Sequence, residues 1–184
     1  MRTVAFVLAL AATAVQAADI APAAVVRFNT VCAHCHEGEC SGRLSFGSGA
    51  AAAGGHMERY LGAVPAAEAA ELFALLKYTK EHCRQYPLPP NGTDGHWGAA
   101  DMQVWRAAGG YFVPLGPLPA GEHRLRLTLS SAAPCSLRIT DAHFDAALDT
   151  QACGSGAALS FPVRAGAHYL HVQTDAEVLG LEVE

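Results

Sequence analysis

The pattern of the sequence changes near residue 87. Before this point Ala, Leu, Glu and Lys dominate, and the segment "VPAAEAAELFALLKYTKEHC" repeats apolar residues at helical spacings of three and four. After it, segments such as "HRLRLTLS" alternate apolar and polar residues, as half-buried strands do. The stretch between them, "YPLPPNGTDGHWG", is rich in proline and glycine and is typical of a linker.

These patterns predict two domains, an all-α domain followed by an all-β antiparallel sandwich of roughly seven or eight strands. We expect the helical domain to cover residues 18–86, the linker 87–95 and the sandwich 96–184.

The first residues predict export. The segment "MRTVAFVLALAATAVQAAD" has a basic Arg2, an apolar run and small residues at its end, so residues 1–17 fit a signal peptide that is cleaved after Ala17. The apolar run has about twelve residues, fewer than the ~20 that a membrane-spanning helix needs. We therefore expect a periplasmic, or alternatively secreted, protein without a membrane span.

The charge of the chain is acidic. The sequence has 12 Lys and Arg against 17 Asp and Glu, with a formal net charge of −5. No run of basic residues interrupts this balance, so nucleic acid is not an expected partner.

The segment Cys32-Ala33-His34-Cys35-His36 matches C-x-x-C-H, the attachment pattern of c-type haem. Its spacing places the thiols of Cys32 and Cys35 on one edge of a helical turn, where both can form thioethers with one haem. His36 then supplies a ligand to the iron. We interpret His34 as a spacer between the two cysteines. The predicted cofactor is one covalent haem c.

Two other kinds of site compete for this motif. A structural zinc site needs a second pair of ligands at finger spacing, and the sequence has only one such pair. A thioredoxin-like dithiol follows a strand in a βαβ unit, whereas a helical pattern precedes this motif. Export also favours the haem interpretation, because c-type haem is attached outside the cytoplasm.

Residues 18–86 resemble the class I cytochromes c. Phe28 lies four positions before Cys32, Ala24 lies one turn further back, and Tyr78 in "LLKYTKE" matches the aromatic residue of the family's C-terminal helix. The resemblance implies an all-α domain that carries one haem and transfers electrons.

The resemblance also implies a second axial ligand from a loop ahead of the last helix, and Met57 lies there. The alternative ligand is His56, which would lower the reduction potential; Met57 would then fill core space. Arg43 is a candidate contact to a haem propionate, or else a surface arginine. The family's proline after the motif, whose carbonyl orients the proximal histidine, is missing from this chain.

Four further cysteines lie in the exported part, where disulfides form. We expect one disulfide between Cys40 and Cys83, which joins the loop after the motif to the end of the last helix. We expect the other between Cys135 and Cys153, within the sandwich. The alternative for the first pair is two free thiols.

The second half of the chain shows no catalytic cluster. The segments "YFVPLGPLPAGEHRLRLTL" and "AGAHYLHVQ" resemble jelly-roll modules of the pre-peptidase C-terminal type, which are appended to secreted bacterial enzymes. Such modules bind protein partners or polysaccharide, or assist folding.

The resulting hypothesis is a single-haem c-type cytochrome that acts as an electron carrier rather than an enzyme, with the sandwich docking to a periplasmic redox partner. Two alternatives stay open. One is a haem enzyme or gas-binding sensor with a labile sixth ligand, and the other is a binding protein with an auxiliary haem domain.

Overall fold

The computed structural model describes residues 20–36, 49–92, 94–151 and 153–184. The predicted signal peptide, residues 1–17, lies outside these ranges. No helix in the described part of the chain combines the length and the apolar character that crossing a bilayer requires.

The helices lie mainly in the first half of the chain. Pro22 opens the first of them at a position where its missing N–H is not needed. A π-helical segment, Phe28–Cys32, continues α1 directly into α2, and a short 3₁₀ segment, Ala50–Ala53, precedes α3. The α-helices are α1 (Pro22–Arg27), α2 (Ala33–His36), α3 (Gly54–Leu61), α4 (Ala66–His82) and α5 (Ala99–Val104).

Most of the remaining described chain forms two antiparallel sheets. One sheet has four strands in the order β1-β9-β4-β7, and the other has five in the order β2-β3-β8-β5-β6. The strands are β1 (His96–Gly98), β2 (Arg106–Ala107), β3 (Gly110–Leu118), β4 (Gly121–Leu129), β5 (Cys135–Asp141), β6 (Ala146–Thr150), β7 (Ala158–Val163), β8 (Gly166–Thr174) and β9 (Val178–Val183).

The two sheets enclose the main core. In β4, the side chains of Leu125, Leu127 and Leu129 are buried, whereas Arg126 and Thr128 between them are exposed. This alternation places one face of the four-stranded sheet against the core and the other in water. The five-stranded sheet closes the core from the other side with buried apolar residues of β5 and β8.

The five-stranded sheet is covered on its other face as well. Every residue of β3 from Gly110 to Gly116 is buried, without the alternation seen in β4. Phe112 of β3 stacks on Tyr169 of β8 with ring centroids 5.5 Å apart on the face that points away from the main core. The helix α1 and the π-helical segment contact β3 on this side. The molecule therefore has three layers: helices, five-stranded sheet and four-stranded sheet.

The prediction of an all-α domain followed by a separate β-sandwich is wrong. The fold is predominantly β, with two antiparallel sheets and helices that are mostly short. Ala24, Val25, Val26 and Phe28 belong to the same buried cluster as the residues between the sheets. The physical reason is size: α1, α2 and α3 have 6, 4 and 8 residues and bury their apolar side chains against the sheet.

The same finding overturns the resemblance of residues 18–86 to the class I cytochromes c. Phe28, Ala24 and Tyr78 were its basis, but two of them serve the helix–sheet contact. Phe28 and Ala24 are 4% and 3% exposed within the common cluster. Spacing around the motif therefore predicted buried positions without identifying what buries them.

The predicted disulfide between Cys135 and Cys153 is present, with Cα atoms 5.2 Å apart. It joins the start of β5 to the segment after β6.

A hydrogen bond connects the described segment before β1 to the residue that precedes β2, because the indole Nε1 of Trp105 donates to Asn91. Trp97 and Trp105 are both buried, so neither offers an open platform for a sugar.

Replacing Gly109 tests the contact between the helical layer and the sheet. Gly109 lies in the turn between β2 and β3, and a Cβ there would overlap the backbone carbonyl of Thr30 in the π-helical segment. We expect Gly109→Ala to lower the free energy of unfolding by about 1–3 kcal/mol, measured by urea denaturation.

The matched control is Gly154→Ala, because a Cβ at Gly154 would meet no atom of the described residues within 4 Å. We expect its effect to stay within about 0.5 kcal/mol. Equal stability of the two variants would show that the layers do not meet at Gly109.

Candidate functional site

The C-x-x-C-H motif lies at the end of the continuous helical segment that begins with α1. Cys32 closes the π-helical part, and Cys35 and His36 fall in α2. Two hydrogen bonds satisfy buried polar side chains just before the motif: Asn29 Nδ2 donates to the Val25 carbonyl at 3.0 Å, and Thr30 Oγ1 donates to the Val26 carbonyl at 2.9 Å. The motif thus starts from a firmly packed segment.

Cys32 and Cys35 are the two free cysteines among the described residues. Cys83, Cys135 and Cys153 are disulfide-bonded. The thiols of the motif are therefore available for another covalent bond, which a thioether attachment requires.

An apolar cleft of about 260 Å³ lies beside the motif. Phe28 of the π-helical segment lines one side, and Leu72, Phe73 and Leu76 of α4 line another. Met57 of α3 also lines the cleft and is 8% exposed. Apolar side chains around a flat aromatic macrocycle exclude water from it, so this lining fits a haem.

Two imidazoles meet at this cleft. The ring centroids of His36 and His56 are 5.9 Å apart, with the ring planes at 64°. Two imidazoles bound to opposite sides of one metal ion have centroids about 6 Å apart, since each metal–nitrogen bond is about 2 Å and the ring centre lies about 1 Å beyond the nitrogen. The observed separation fits a pair of axial ligands to one iron.

The environment of Cys32 differs from that of a redox-active cysteine. Burial raises the pKa of the Cys32 thiol, an effect that the charge of Arg27 opposes and that of Cys35 reinforces. Nucleophilic cysteines of disulfide oxidoreductases have lowered pKa values. The cysteine pair is therefore poorly suited to dithiol exchange.

The described segments do not provide a structural zinc site. They contain no group of three or more His, Cys, Asp or Glu side chains able to hold a metal ion. Haem needs only axial ligands from the protein, because the porphyrin supplies the remaining donors.

The motif also contacts the five-stranded sheet through His34. Gln173 of β8 donates from Nε2 to His34 Nε2 at 2.9 Å, and Ser136 of β5 donates from Oγ to Gln173 Oε1 at 3.2 Å. Sequence reasoning took His34 for a spacer and did not identify Gln173 or Ser136. Nothing in the local sequence pairs positions that are 139 residues apart.

His171 lies next to this contact, on the same face of β8 as Gln173. Its ring centroid is 5.8 Å from that of His34 and 6.4 Å from that of Phe112. Burial, and to a smaller extent the charges of His34 and Arg138, lower the pKa of His171 to about 4. His171 is therefore neutral at pH 7.

Two predicted site residues, Cys40 and Arg43, lie outside the described residues. The Cys40–Cys83 disulfide and the propionate contact of Arg43 stay predictions. The structure does bring together Cys32, Cys35, His36, His56 and Met57, which line one cleft.

A comparison with known protein families and with curated proteins finds no match for this chain. Neither the resemblance to class I cytochromes c nor the one to jelly-roll modules therefore gains support outside the chain.

Protonation of His171 should make the stability of the fold depend on pH. The pKa of His171 is about 4 in the folded protein and 6.5 in an unfolded chain, so the unfolded state binds the proton more readily between these values. The free energy of unfolding therefore keeps its full value above pH 6.5 and decreases as the pH falls towards 4. The loss is on the order of 2–3 kcal/mol, measurable by urea denaturation across this pH range.

The variant His171→Phe removes the titrating group and should flatten that pH dependence. His143 is exposed in the turn between β5 and β6, so His143→Phe is a control that should keep the dependence of the original protein. If all three proteins lose stability in parallel between pH 6.5 and 4, His171 is not the group responsible.

Proposed function

We propose that this protein carries one haem, attached through thioethers to Cys32 and Cys35, and that it transfers electrons in the periplasm. The observation that carries the proposal is the C-x-x-C-H motif with two free thiols on one helical segment, placed beside an apolar cleft that also holds a second imidazole. The proposal concerns the cofactor and its use; the fold around it is the three-layer fold described above.

Each part of the site has a defined role in this proposal. Cys32 and Cys35 hold the cofactor, and His36 ligates its iron from the position directly after the second cysteine. Phe28, Leu72 and Leu76 keep water away from it. When bound, haem supplies an iron that alternates between Fe(II) and Fe(III). Electron transfer needs no acid or base, so the proposal requires no catalytic cluster beside the cofactor.

We propose His56 as the second axial ligand. The distance between the ring centroids of His56 and His36 fits two imidazoles on one iron. The side chain of His56 is also exposed, so its ring has room to turn towards the iron. Met57, the ligand expected from the resemblance, is buried and belongs to the common hydrophobic cluster, which gives it a packing role. Two imidazoles lower the reduction potential relative to an imidazole and a thioether.

A redox partner protein would approach where the cleft meets the surface. Tyr60 lies at this position, is 59% exposed and has its ring centroid 5.0 Å from that of His56. Exposed aromatic residues are common at protein interfaces. The Cys135–Cys153 disulfide supports an oxidising compartment. We propose the periplasm on this ground together with the signal peptide.

Absorption spectra of variants test the cofactor and its ligands. The protein is expressed in cells that attach c-type haem and is purified from the periplasm. We expect Cys32→Ala and Cys35→Ala together to leave no covalently bound haem. We expect His56→Ala to convert a low-spin ferric spectrum into a high-spin one.

Met57→Ala is the matched control for His56→Ala, because the two residues are neighbours in α3 and line the same cleft. We expect this variant to keep the low-spin spectrum, with a stability lower by about 2–4 kcal/mol from the lost packing. Loss of a red-edge band from iron–thioether bonding in Met57→Ala would assign the ligand to Met57 instead. A purified wild-type protein without covalent haem would overturn the whole proposal.

A second candidate function is a gas-binding sensor or haem enzyme with a labile sixth ligand. The observation that favours it is the exposure of His56 on α3, a helix of 8 residues, since an exposed ligand on a short helix can be displaced. Carbon monoxide separates the two candidates. Rapid binding to the ferrous protein supports the sensor, whereas a ferrous spectrum unchanged by the gas supports the electron carrier.

A further inference from the structure

A second cavity, of about 170 Å³, lies between the helical segment and the outer face of the five-stranded sheet. Thr140 of β5 and His171 of β8 line it from the sheet, and Asn29 and Gln85 line it from the covering layer. Phe112 of β3 adds an aromatic wall. Among the described residues, His34 is the one that lines both this cavity and the apolar cleft beside the motif.

The arginine and the aspartate that line this cavity offset each other in charge. Arg138 and Asp149 both line it and form an ion pair, with Nε and Oδ2 3.9 Å apart. His171 is neutral, because burial, followed by the effects of His34 and Arg138, lowers its pKa to about 4. A charged occupant would lose its hydration here without gaining a counter-charge, which is unfavourable.

The cavity nevertheless offers several hydrogen-bonding groups. Asn29 and Thr140 are each 4% exposed, and Gln85 is 5% exposed. The Nε2 atom of His171 is buried and has no hydrogen-bond partner within the described protein. A buried polar atom without a partner is costly, so such atoms are normally met by water or a ligand.

The side chains present are suited to a particular kind of ligand edge. The carboxamide of Gln85 carries a donor and an acceptor side by side, and it pairs best with a molecule that carries the same two groups in a complementary arrangement. The amide nitrogen of Asn29 already donates to the Val25 carbonyl, so Asn29 adds its side-chain oxygen as an acceptor. The ring of Phe112 offers a flat apolar surface to a planar molecule. The volume limits the occupant to a small molecule.

We propose that this cavity binds a small, uncharged, planar molecule that carries a carboxamide or lactam group. The site lies between the segment that carries the C-x-x-C-H motif and the face of the five-stranded sheet that the helices cover. The proposal does not depend on the haem, because the described motif residues that line the cavity, Ala33 and His34, are neither the haem-attaching cysteines nor the iron ligand.

Isothermal titration calorimetry of the full exported chain at neutral pH tests this proposal with three probes. Nicotinamide is an uncharged planar carboxamide, nicotinate is its anionic counterpart of nearly equal size, and glucose is an uncharged but non-planar polyol. We expect nicotinamide to bind with a dissociation constant on the order of 1 mM, as its size allows. We expect nicotinate and glucose to bind at least about tenfold more weakly.

Variants locate the binding. His171→Phe removes the unpartnered nitrogen, and Thr140→Val removes one hydroxyl with little change of shape. Each should weaken nicotinamide binding by about fivefold or more. The controls His143→Phe and Thr128→Val change exposed residues away from the cavity and should leave binding unchanged. Thermal unfolding of each variant verifies that it is folded.

Three results would overturn the proposal. No saturable heat with nicotinamide would mean that the cavity holds water only. Equal or tighter binding of nicotinate or glucose would show that the ligand class is wrong. Nicotinamide binding that survives both His171→Phe and Thr140→Val in folded protein would place the ligand elsewhere.

Discussion

The packing of the helical segment on the outer face of the five-stranded sheet is the constraint on which the rest of this structure depends. Gly109 lets the turn between β2 and β3 approach the Thr30 carbonyl so closely that no side chain fits between them. As a result, β3 is buried on both faces, and α1 buries its apolar residues against the sheet. Without the sheet, helices of 4 to 8 residues would be too short to be stable in water.

The same packing explains how the motif comes to lie between two cavities of opposite character. On one side of the motif segment, Phe28 and the apolar residues of α4 line the cleft proposed for haem. On the other side, polar residues of β5 and β8 line a cavity that has hydrogen-bonding capacity and contains one paired arginine and aspartate. His34 contributes to both linings, and its hydrogen bond from Gln173 fixes the motif to the sheet.

Local patterns in the sequence were sufficient to predict several elements. The alternation of Leu125, Leu127 and Leu129 with basic residues placed a strand where β4 lies, and the apolar periodicity after Pro65 placed a helix where α4 lies. Both patterns report which face of a single element is buried, and such information is local. The cysteine and histidine spacing of the motif is local in the same sense.

Partners that are distant in sequence could not be predicted. The run from Tyr111 to Leu115 is apolar throughout, which indicates a strand buried on both sides, but it does not say that α1 provides the second cover. The prediction of an all-α domain followed by a separate β-sandwich failed for this reason. His171 and Gln173 likewise show ordinary strand alternation, and only the fold reveals that they face the motif.

The folding of residues 18–86 as an isolated fragment tests the central claim most directly. Circular dichroism during urea denaturation of this fragment, compared with residues 18–184, measures whether the helical layer needs the sheet. The three-layer account predicts that the fragment shows no cooperative unfolding transition, because its apolar face has lost β3. A fragment that unfolds cooperatively at the same urea concentration as the full chain would contradict it.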